Sequence, residues 1–242
     1  MTSPNEARPV GAVVDPLPAG TKPDGRPLFG RYVILQHVEA SRHGRDLYRS
    51  FAESDPNGDL WTYMGYGPFD DLEKFLAWLS GRESSNDPLF YAFLRKSDGR
   101  AVGMGAFMRH DPPNGVIEIG HIWLSPDLQR TREATECIYL MMRHAFEDLG
   151  VRRLEWKCDA LNAPSRRAAK RFGFTFEGIF RQHYVVKGRN RDTAWFSMID
   201  KEWRRAREAF DQWLDAKNFD GAGKESSKLR IASNPEKRHG RT

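Results

Sequence analysis

The chain has 242 residues, of which 39% are hydrophobic and 12% aromatic, enough for one large globular domain with extensions. Its net charge of +5 could suit a nucleic-acid-binding protein, but six Lys/Arg against three Asp/Glu in residues 218–242 supply +3 and leave +2 for the body. No apolar run reaches the roughly 18 residues of a membrane span, and the N-terminus lacks a secretory signal pattern. We therefore expect a cytoplasmic protein with no membrane partner, and nucleic acid is not an expected partner.

The two ends of the chain differ in composition from its middle. Six of the fourteen prolines lie in residues 1–27, which predicts an extended Pro-rich arm over residues 1–28. The polar stretch 218–242 predicts a disordered basic tail, so residues 29–217 are assigned to the folded domain. The two cysteines, Cys137 and Cys158, are expected to be buried and reduced.

The first half of the domain combines helical runs with turn-separated strands. A strand is predicted at 29–39, a helix at 41–52, an irregular aromatic stretch at 57–69 and a helix at 70–83. Three strands follow, "LFYAFLRK", "AVGMGAFMRH" and "VIEIGHIWL". Their Asp-Gly and Asn-Gly separators are typical of hairpins.

The second half alternates between strand and helix. A helix is predicted at 132–149 with Gly150 as its stop, then the strand "VRRLEWKCD" and a short helix between Asn162 and Gly173. Two strands around "KGRNRD" and an amphipathic helix from 200 complete the pattern. This order predicts an α+β fold of three layers with a mixed sheet. A ligand crevice is expected where the sheet changes direction.

The joint "LQRTREATE" (128–136) between a strand and a helix is unusually cationic for a connector. A helix start presents unpaired backbone N–H groups and the positive end of the helix dipole. Arg130 and Arg132 add charge there, and an anion such as a pyrophosphate would compensate it. The alternative is a solvated pair of flexible arginines.

The order of elements, the Gln129–Ala134 joint and the helix "NAPSRRAAKRFGF" resemble the GNAT superfamily of acetyl-coenzyme A-dependent N-acetyltransferases, most closely its RimJ/RimL-type branch. The resemblance spans roughly residues 29–203. It implies a GNAT-like acyl-CoA N-acyltransferase fold, acetyl-CoA as co-substrate, no metal, and transfer of the acetyl group to a primary amine. The chain departs from the family at Arg132, where glycine is usual, and at Ala169, where many relatives carry a tyrosine.

The resemblance also implies which residues bind the co-substrate. They lie at the end of one strand, in the joint and at the start of the later helix: Ile122, Trp123, Leu124, Gln129, Arg130, Thr131, Arg132, Ala134, Thr135 and Asn162. Amides near Ile122–Leu124 would polarise the thioester carbonyl. Asn162 would bond the pantetheine arm, unless it serves as a helix N-cap. Ser165 matches the branch's acid for the departing thiolate, and its alternative is an ordinary early-turn serine.

The proton acceptor and the amine site stay open at this level. An α-amine with a pKa near 7.7–8.0 needs a base less than a lysine amine near 10.4 does. Glu118 and His121 are the main base candidates, and they share a face only if a bulge intervenes. Trp61, Tyr63 and Tyr66 predict an aromatic wall for the acceptor, although the same loop could simply cover the core. The histidines show no metal-ligand spacing.

Two classes of function remain. The first is an N-acetyltransferase acting on a protein N-terminus or an amine-bearing small molecule. The second is a non-catalytic RNA- or ribosome-associated binding protein on the same fold, which would use the basic tail. The oligomeric state is open, with a homodimer as one alternative.

Overall fold

The computed structural model describes residues 8–18, 20–221 and 223–231. The strands in these ranges are β1 Leu28–Phe29, β2 Val33–His37, β3 Leu89–Arg95, β4 Ala101–Asp111, β5 Val116–Leu124, β6 Arg153–Asp159, β7 Thr175–Val186 and β8 Arg189–Ile199. The α-helices are α1 Ala40–Ala52, α2 Leu72–Glu83, α3 Arg132–Arg143, α4 Ala163–Arg171 and α5 Asp200–Trp213. Within the described ranges, no helix has both the length and the apolar character that crossing a membrane requires.

The strands form one eight-stranded sheet in the order β1-β2-β3-β4-β5-β6-β8-β7. All neighbours are antiparallel except β5 and β6, which are parallel because α3 carries the chain back between them. Helices α1 and α2 pack on one face of the sheet, and α3, α4 and α5 pack on the other. The predicted α+β fold with three layers and a mixed sheet is confirmed.

The helices bury the faces that their sequence periods predict. In α2 the N-cap Asp71 accepts a hydrogen bond from the Lys74 amide, and Phe75 and Leu79 are buried one turn apart. In α5 the residues at helical spacing are all buried: Trp203, Ala206, Phe210 and Trp213. The helix predicted at 132–149 is α-helical only to Arg143 and continues as a π-helical turn, His144–Asp148.

The strand predicted at 29–39 is split into β1 and β2 by a tertiary contact. The carboxylate of Glu136, buried on α3, accepts hydrogen bonds from the amides of Arg31, Tyr32 and Val33 at 2.7, 2.6 and 2.9 Å. Three amides aimed at one carboxylate cannot also continue a ladder, so the chain turns there.

The prediction of disorder from residue 218 is wrong for the described C-terminal residues. Asn218 Oδ1 accepts hydrogen bonds from the amide and hydroxyl of Ser227, the Phe219 ring lies against Tyr32 and Trp213, and Leu229 is buried. Residues 232–242 of the predicted tail lie outside the described residues. The predicted N-terminal arm has neither helix nor strand over 8–18 and 20–27, while residues 1–7 are not described. Both cysteines are buried and unpaired, as predicted.

Candidate active site

The central feature of the site is a separation between the two parallel strands. β5 and β6 are paired only from Val116 to Glu118 against Arg153 to Glu155. Beyond that rung, β5 runs on to Leu124 and β6 to Asp159 without pairing to each other. We call the space between residues 119–124 and 156–159 the splayed cleft. Its β-strand edges present backbone groups that the partner strand does not use.

A bulge in β5 shapes one wall of the splayed cleft. The register between β4 and β5 shifts between the pairs Ala106–Gly120 and Met104–Trp123, and His121 has a φ of 50°. As a result Ile119 and Ile122, three residues apart, both pack on the α3 side of the sheet. Glu118 and His121 therefore share the opposite face. The bulge that these two residues need in order to share a face is therefore present.

The joint at the start of α3 is partly closed by its own side chains. Thr131 is the N-cap: its hydroxyl accepts from the Ala134 amide at 3.1 Å and donates to the Leu128 carbonyl at 2.7 Å. The Thr131 hydroxyl and the Ala134 amide, both expected to bind the co-substrate, are thus occupied within the joint. Gln129 donates from its side chain to the Leu124 carbonyl at 3.1 Å and so ties the joint to the end of β5.

Other groups of the joint remain available. The amides of Arg130, Arg132 and Glu133 have no hydrogen-bond partner among the described residues. Arg130 has a φ of 64°, an exposed side chain and no ion pair within the described part of the chain. The joint therefore offers three amides and one free guanidinium to an anion.

Arg132 turns away from the role predicted for its side chain. Its guanidinium lies 4.3 Å from the centroid of the Tyr32 ring and 5.4 Å from that of Phe219, and its Nε is 3.2 Å from a carboxylate oxygen of Glu133. The two arginines of the joint thus do not converge on one anion. The aromatic rings that hold Arg132 come from the bend between β1 and β2 and from the C-terminal segment, which local sequence could not place there.

A different arginine reaches the joint from α4. Thr135 is buried, and its hydroxyl donates to the Thr131 carbonyl at 3.3 Å while it accepts from Arg171 at 3.0 Å. Burial lowers the pKa of Arg171, whose guanidinium also packs over the rings of Phe172 and Trp213. The expected contact of the Thr135 hydroxyl with co-substrate is replaced by this internal bond. No local signal marked Arg171, since the contact spans 36 residues.

On the β6 side, Asn162 and Ser165 sit at the start of α4. Asn162 is the N-cap, with Oδ1 accepting from the Ser165 amide at 3.0 Å, so its capping role is confirmed. The Ser165 hydroxyl accepts from the indole N–H of Trp156 on β6 at 3.0 Å. Because that indole can only donate, the hydroxyl proton of Ser165 is left for another acceptor, and the Cys158 thiol lies within hydrogen-bond reach.

Glu118 lies in a buried charge network beneath the splayed cleft. Its side chain is 6% exposed, with Lys157 Nζ at 3.0 Å and a guanidinium nitrogen of Arg109 at 3.5 Å. Lys157 also contacts Glu155 at 2.7 Å and the Trp195 ring at 3.8 Å. Burial raises the pKa of Glu118, an effect that Lys157 and Arg109 oppose. The sequence indicated Glu118 but none of these partners, which the pairing of β5 with β4 on one side and β6 on the other brings beside it.

His121 is held as a neutral imidazole. Burial, reinforced by the charges of Arg82, Arg109 and Arg191, lowers its pKa to about 4. Its Nδ1 is 3.3 Å from the hydroxyl of Tyr66, on whose ring it stacks. Burial also raises the pKa of Tyr66. Tyr66 thus reaches from the loop at 57–69 to His121 in the bulge of β5.

The residues of the predicted aromatic wall differ in burial: Trp61 lies in the core and Tyr63 at the rim. Trp61 is 1% exposed and packs against Phe51 and Trp123, so the prediction that it contacts the acceptor is wrong and the core-covering alternative holds for it. Tyr63 is at the rim, where its hydroxyl donates to the Leu161 carbonyl at 3.2 Å and joins the 57–69 loop to the segment before α4. Among the residues described, no cluster of His, Cys, Asp or Glu could hold a metal ion.

Comparison with known proteins gives consistent relatives. Residues 33–175 match the model of the acetyltransferase (GNAT) domain. The crystal structure of a GCN5-related N-acetyltransferase from Brucella melitensis is 46% identical, with a TM-score of 0.85, over 88% of this chain and 96% of that one. A probable GNAT-family acetyltransferase from Chromobacterium violaceum is 42% identical, with a TM-score of 0.75, over 84% of this chain and 100% of that one. YdaF of Bacillus subtilis, described as a candidate ribosomal N-acetyltransferase, is 29% identical over 171 residues, 71% of this chain and 84% of YdaF.

Proposed function

The chain belongs to the GNAT acetyltransferase family, in its RimJ/RimL-type branch, and we propose that it moves the acetyl group of acetyl-CoA directly to a primary amine. The observation that carries this proposal is the splayed cleft, which opens after the Glu118–Glu155 rung and ends at the start of α3. An extended amide-bearing arm fits between the unpaired strand edges. Its phosphates would then lie at the helix start.

The residues present fit acetyl-CoA, with a different part for Arg132 from the expected one. The amides of Arg130, Arg132 and Glu133 and the free guanidinium of Arg130 suit a pyrophosphate. Arg132 would contribute its amide only, because its guanidinium is packed on Tyr32 and Phe219. When bound, acetyl-CoA supplies an activated thioester, and the amides near Ile122–Leu124 would polarise its carbonyl.

Ser165 is proposed as the proton donor to the departing thiolate. Its oxygen already accepts from Trp156, which orients the hydroxyl proton away from that indole. Asn162 holds the same helix start, and its side-chain amide nitrogen would bond the pantetheine arm. Neither role depends on the tyrosine that many relatives carry where this chain has Ala169.

Glu118 is proposed as the proton acceptor in preference to His121. An imidazole with a pKa of about 4 is a weak base near neutral pH. Burial raises the pKa of Glu118 and so its basicity, while the charges of Lys157 and Arg109 favour its carboxylate form. His121, on the same face, is left as a neutral hydrogen-bonding group beside Tyr66.

Calorimetric titration of the full chain with acetyl-CoA tests the binding half of this proposal. Arg130→Ala should weaken binding about tenfold or more, since it removes a charge-assisted contact to phosphate. Arg132→Ala, the matched control, should change affinity much less. Pantetheine, which lacks the phosphates, should bind both variants alike. Absence of acetyl-CoA binding to the wild-type protein rejects the function.

Thiol release from acetyl-CoA in the presence of a panel of amines tests the chemical half. Glu118→Gln should lower kcat by roughly 10²–10⁴, the usual contribution of a positioned base, with acetyl-CoA affinity retained. Ser165→Ala should lower kcat as well, and less so for a better thiolate leaving group. An unchanged kcat in both variants would remove these residues from the mechanism.

A further inference from the structure

One half of a sheet face has no helix over it among the described elements. Helices α1 and α2 cover this face only over β2 to β5, while α3, α4 and α5 pack on the reverse side. On the uncovered half, the register sets Lys157 opposite Trp195 and Tyr184 opposite Arg191. We call this surface the acceptor groove: Glu118, Lys157, Tyr184, Arg191, Thr193 and Trp195.

Two arginines flank one tyrosine ring in the acceptor groove. Arg109 donates to the Tyr184 hydroxyl at 2.8 Å, and its guanidinium lies 5.6 Å from the ring centroid. The guanidinium of Arg191, the cross-strand partner of Tyr184, lies 5.7 Å from the same centroid. Within the described residues Arg191 has no acidic partner within 4.0 Å. The guanidinium of Arg109 is 3.5 Å from Glu118, which Lys157 holds more closely at 3.0 Å.

Glu118 of the acceptor groove and the carboxylates beside it on β6 are already engaged. Glu118 contacts Lys157, and Glu155 contacts both Lys157 and Arg153. Asp159 accepts from the Leu161 amide. A second ammonium on the acceptor would therefore meet two guanidinium groups and carboxylates that have partners. The positive field extends to the bulge, where Arg82, Arg109 and Arg191 all oppose protonation of His121.

The same surface holds buried donors without partners. Thr193 is fully buried, and its hydroxyl has no hydrogen bond within the described chain. The Nε of Arg191 and the indole N–H of Trp195 are also buried and unpartnered there. These three residues alternate along β8, so they share a face. Buried polar groups are nearly always bonded, and a row of donors beside two cations fits anionic oxygens.

We propose that the acceptor amine carries an anionic group, a carboxylate or a phosphate, bound by Arg191 and Arg109 with Thr193 and Trp195 as further donors. The anion end then holds the amine toward Glu118 and the thioester. The amine nitrogen forms its bond to the acetyl carbon as the carbon–sulfur bond breaks; the amine gives a proton to Glu118 and the thiolate takes one from Ser165. This inference rests on the proposed acetyl transfer to an amine.

Matched pairs of amines that differ only in the anion test it. Thiol release is measured with β-alanine against β-alaninamide and with phosphoethanolamine against ethanolamine. The member with the anionic group should have a kcat/KM about tenfold or more higher in at least one pair, and the pair that shows it identifies carboxylate or phosphate. Arg191→Ala should bring that ratio toward one by raising KM for the anion-bearing amine alone. Arg191→Lys should keep part of it.

The matched control is Arg189→Ala, which removes an exposed arginine of the same hairpin and should leave the ratio as it is. A ratio near one in the wild type, or equal losses for both members of a pair in Arg191→Ala, overturns the inference. So does weakened acetyl-CoA binding in Arg191→Ala, which would assign the residue to the co-substrate.

Failure of the proposed function gives a different result, namely no acetyl-CoA binding or no thiol release with any amine of a broad panel. A protein that binds acetyl-CoA and acetylates other amines, yet neither acetylates nor binds β-alanine or phosphoethanolamine by calorimetry, overturns this inference alone.

Discussion

The two halves of one sheet face differ in what they bury: one buries aromatic rings, and the other buries ion pairs. Over β2 to β5, helices α1 and α2 and the rings of Phe51, Trp61 and Trp123 form a dry aromatic cluster. Over β6, β8 and the first residues of β5, the same face buries side chains that form ion pairs, Glu118 and Lys157 among them. Apolar burial stabilises the first half, whereas the second bears a desolvation cost that its ion pairs only partly offset. The difference fits the role in acetyl transfer that we propose for the second half, since stability alone would favour apolar side chains there.

The seam between the halves is the bulge of β5. His121 there stacks on Tyr66 from the aromatic half and is exposed to the fields of Arg109 and Arg191 from the charged half. Tyr63 closes the rim of the seam through its bond to Leu161. Substitutions in each half and at the seam therefore test which residues stabilise the fold and which are needed for function.

The largest expected effect is on stability, in the aromatic half. Trp61→Ala should cost about 3–5 kcal/mol of unfolding free energy, because it empties a fully enclosed site in contact with several rings. Trp195→Ala, in the charged half, should cost less, since that ring is only partly buried. Urea unfolding of the two variants measures both values. Equal losses would show that the halves do not differ in this way.

A smaller effect is expected at the seam and depends on pH. His121 has a pKa of about 4 in the fold against 6.5 in the unfolded chain, so between these values the unfolded state holds the extra proton. Stability should therefore fall as the pH is lowered through this window, by at most about 3 kcal/mol.

His121→Asn should remove this part of the pH dependence, and asparagine tolerates the φ of 50° at this position. Urea unfolding of both proteins at about pH 7 and about pH 5 gives the comparison. If the variant loses as much stability on acidification as the wild type, His121 is not the group responsible.

The smallest effect concerns the rim. Tyr63→Phe removes one partly exposed hydrogen bond and should cost less than about 1 kcal/mol. Hydrogen exchange should nevertheless quicken at residues 57–69 and not in α2. Tyr48→Phe is the control: it removes a 3.3 Å bond from Tyr48 to the Asp70 carbonyl in the aromatic half and should leave exchange in the loop at 57–66 unchanged. Identical exchange rates in the wild type and Tyr63→Phe would show that the Tyr63 hydrogen bond does not hold this loop.

Particular elements show how much of the structure could be predicted from the sequence. The hairpins of β3, β4 and β5 and the buried stripe of α5 followed from turn residues and apolar period, which are local properties. Asn162 was offered as a helix N-cap for the same reason. Arg132 was assigned to phosphate, and Trp61 to the acceptor, because residue type and position do not report which partner a long or bulky side chain will find.

The sequence by itself determined the order and type of the elements, the mixed sheet and the cationic start of α3, because these depend on contacts within a few residues. Only the tertiary structure decided where β5 and β6 part, that Lys157 and Arg109 hold Glu118, that Arg171 replaces Arg132 beside the joint, and that Arg191 faces an open groove. Each of these is a contact between residues far apart in the chain. Such contacts are fixed by strand register and helix packing, and no local pattern encodes them.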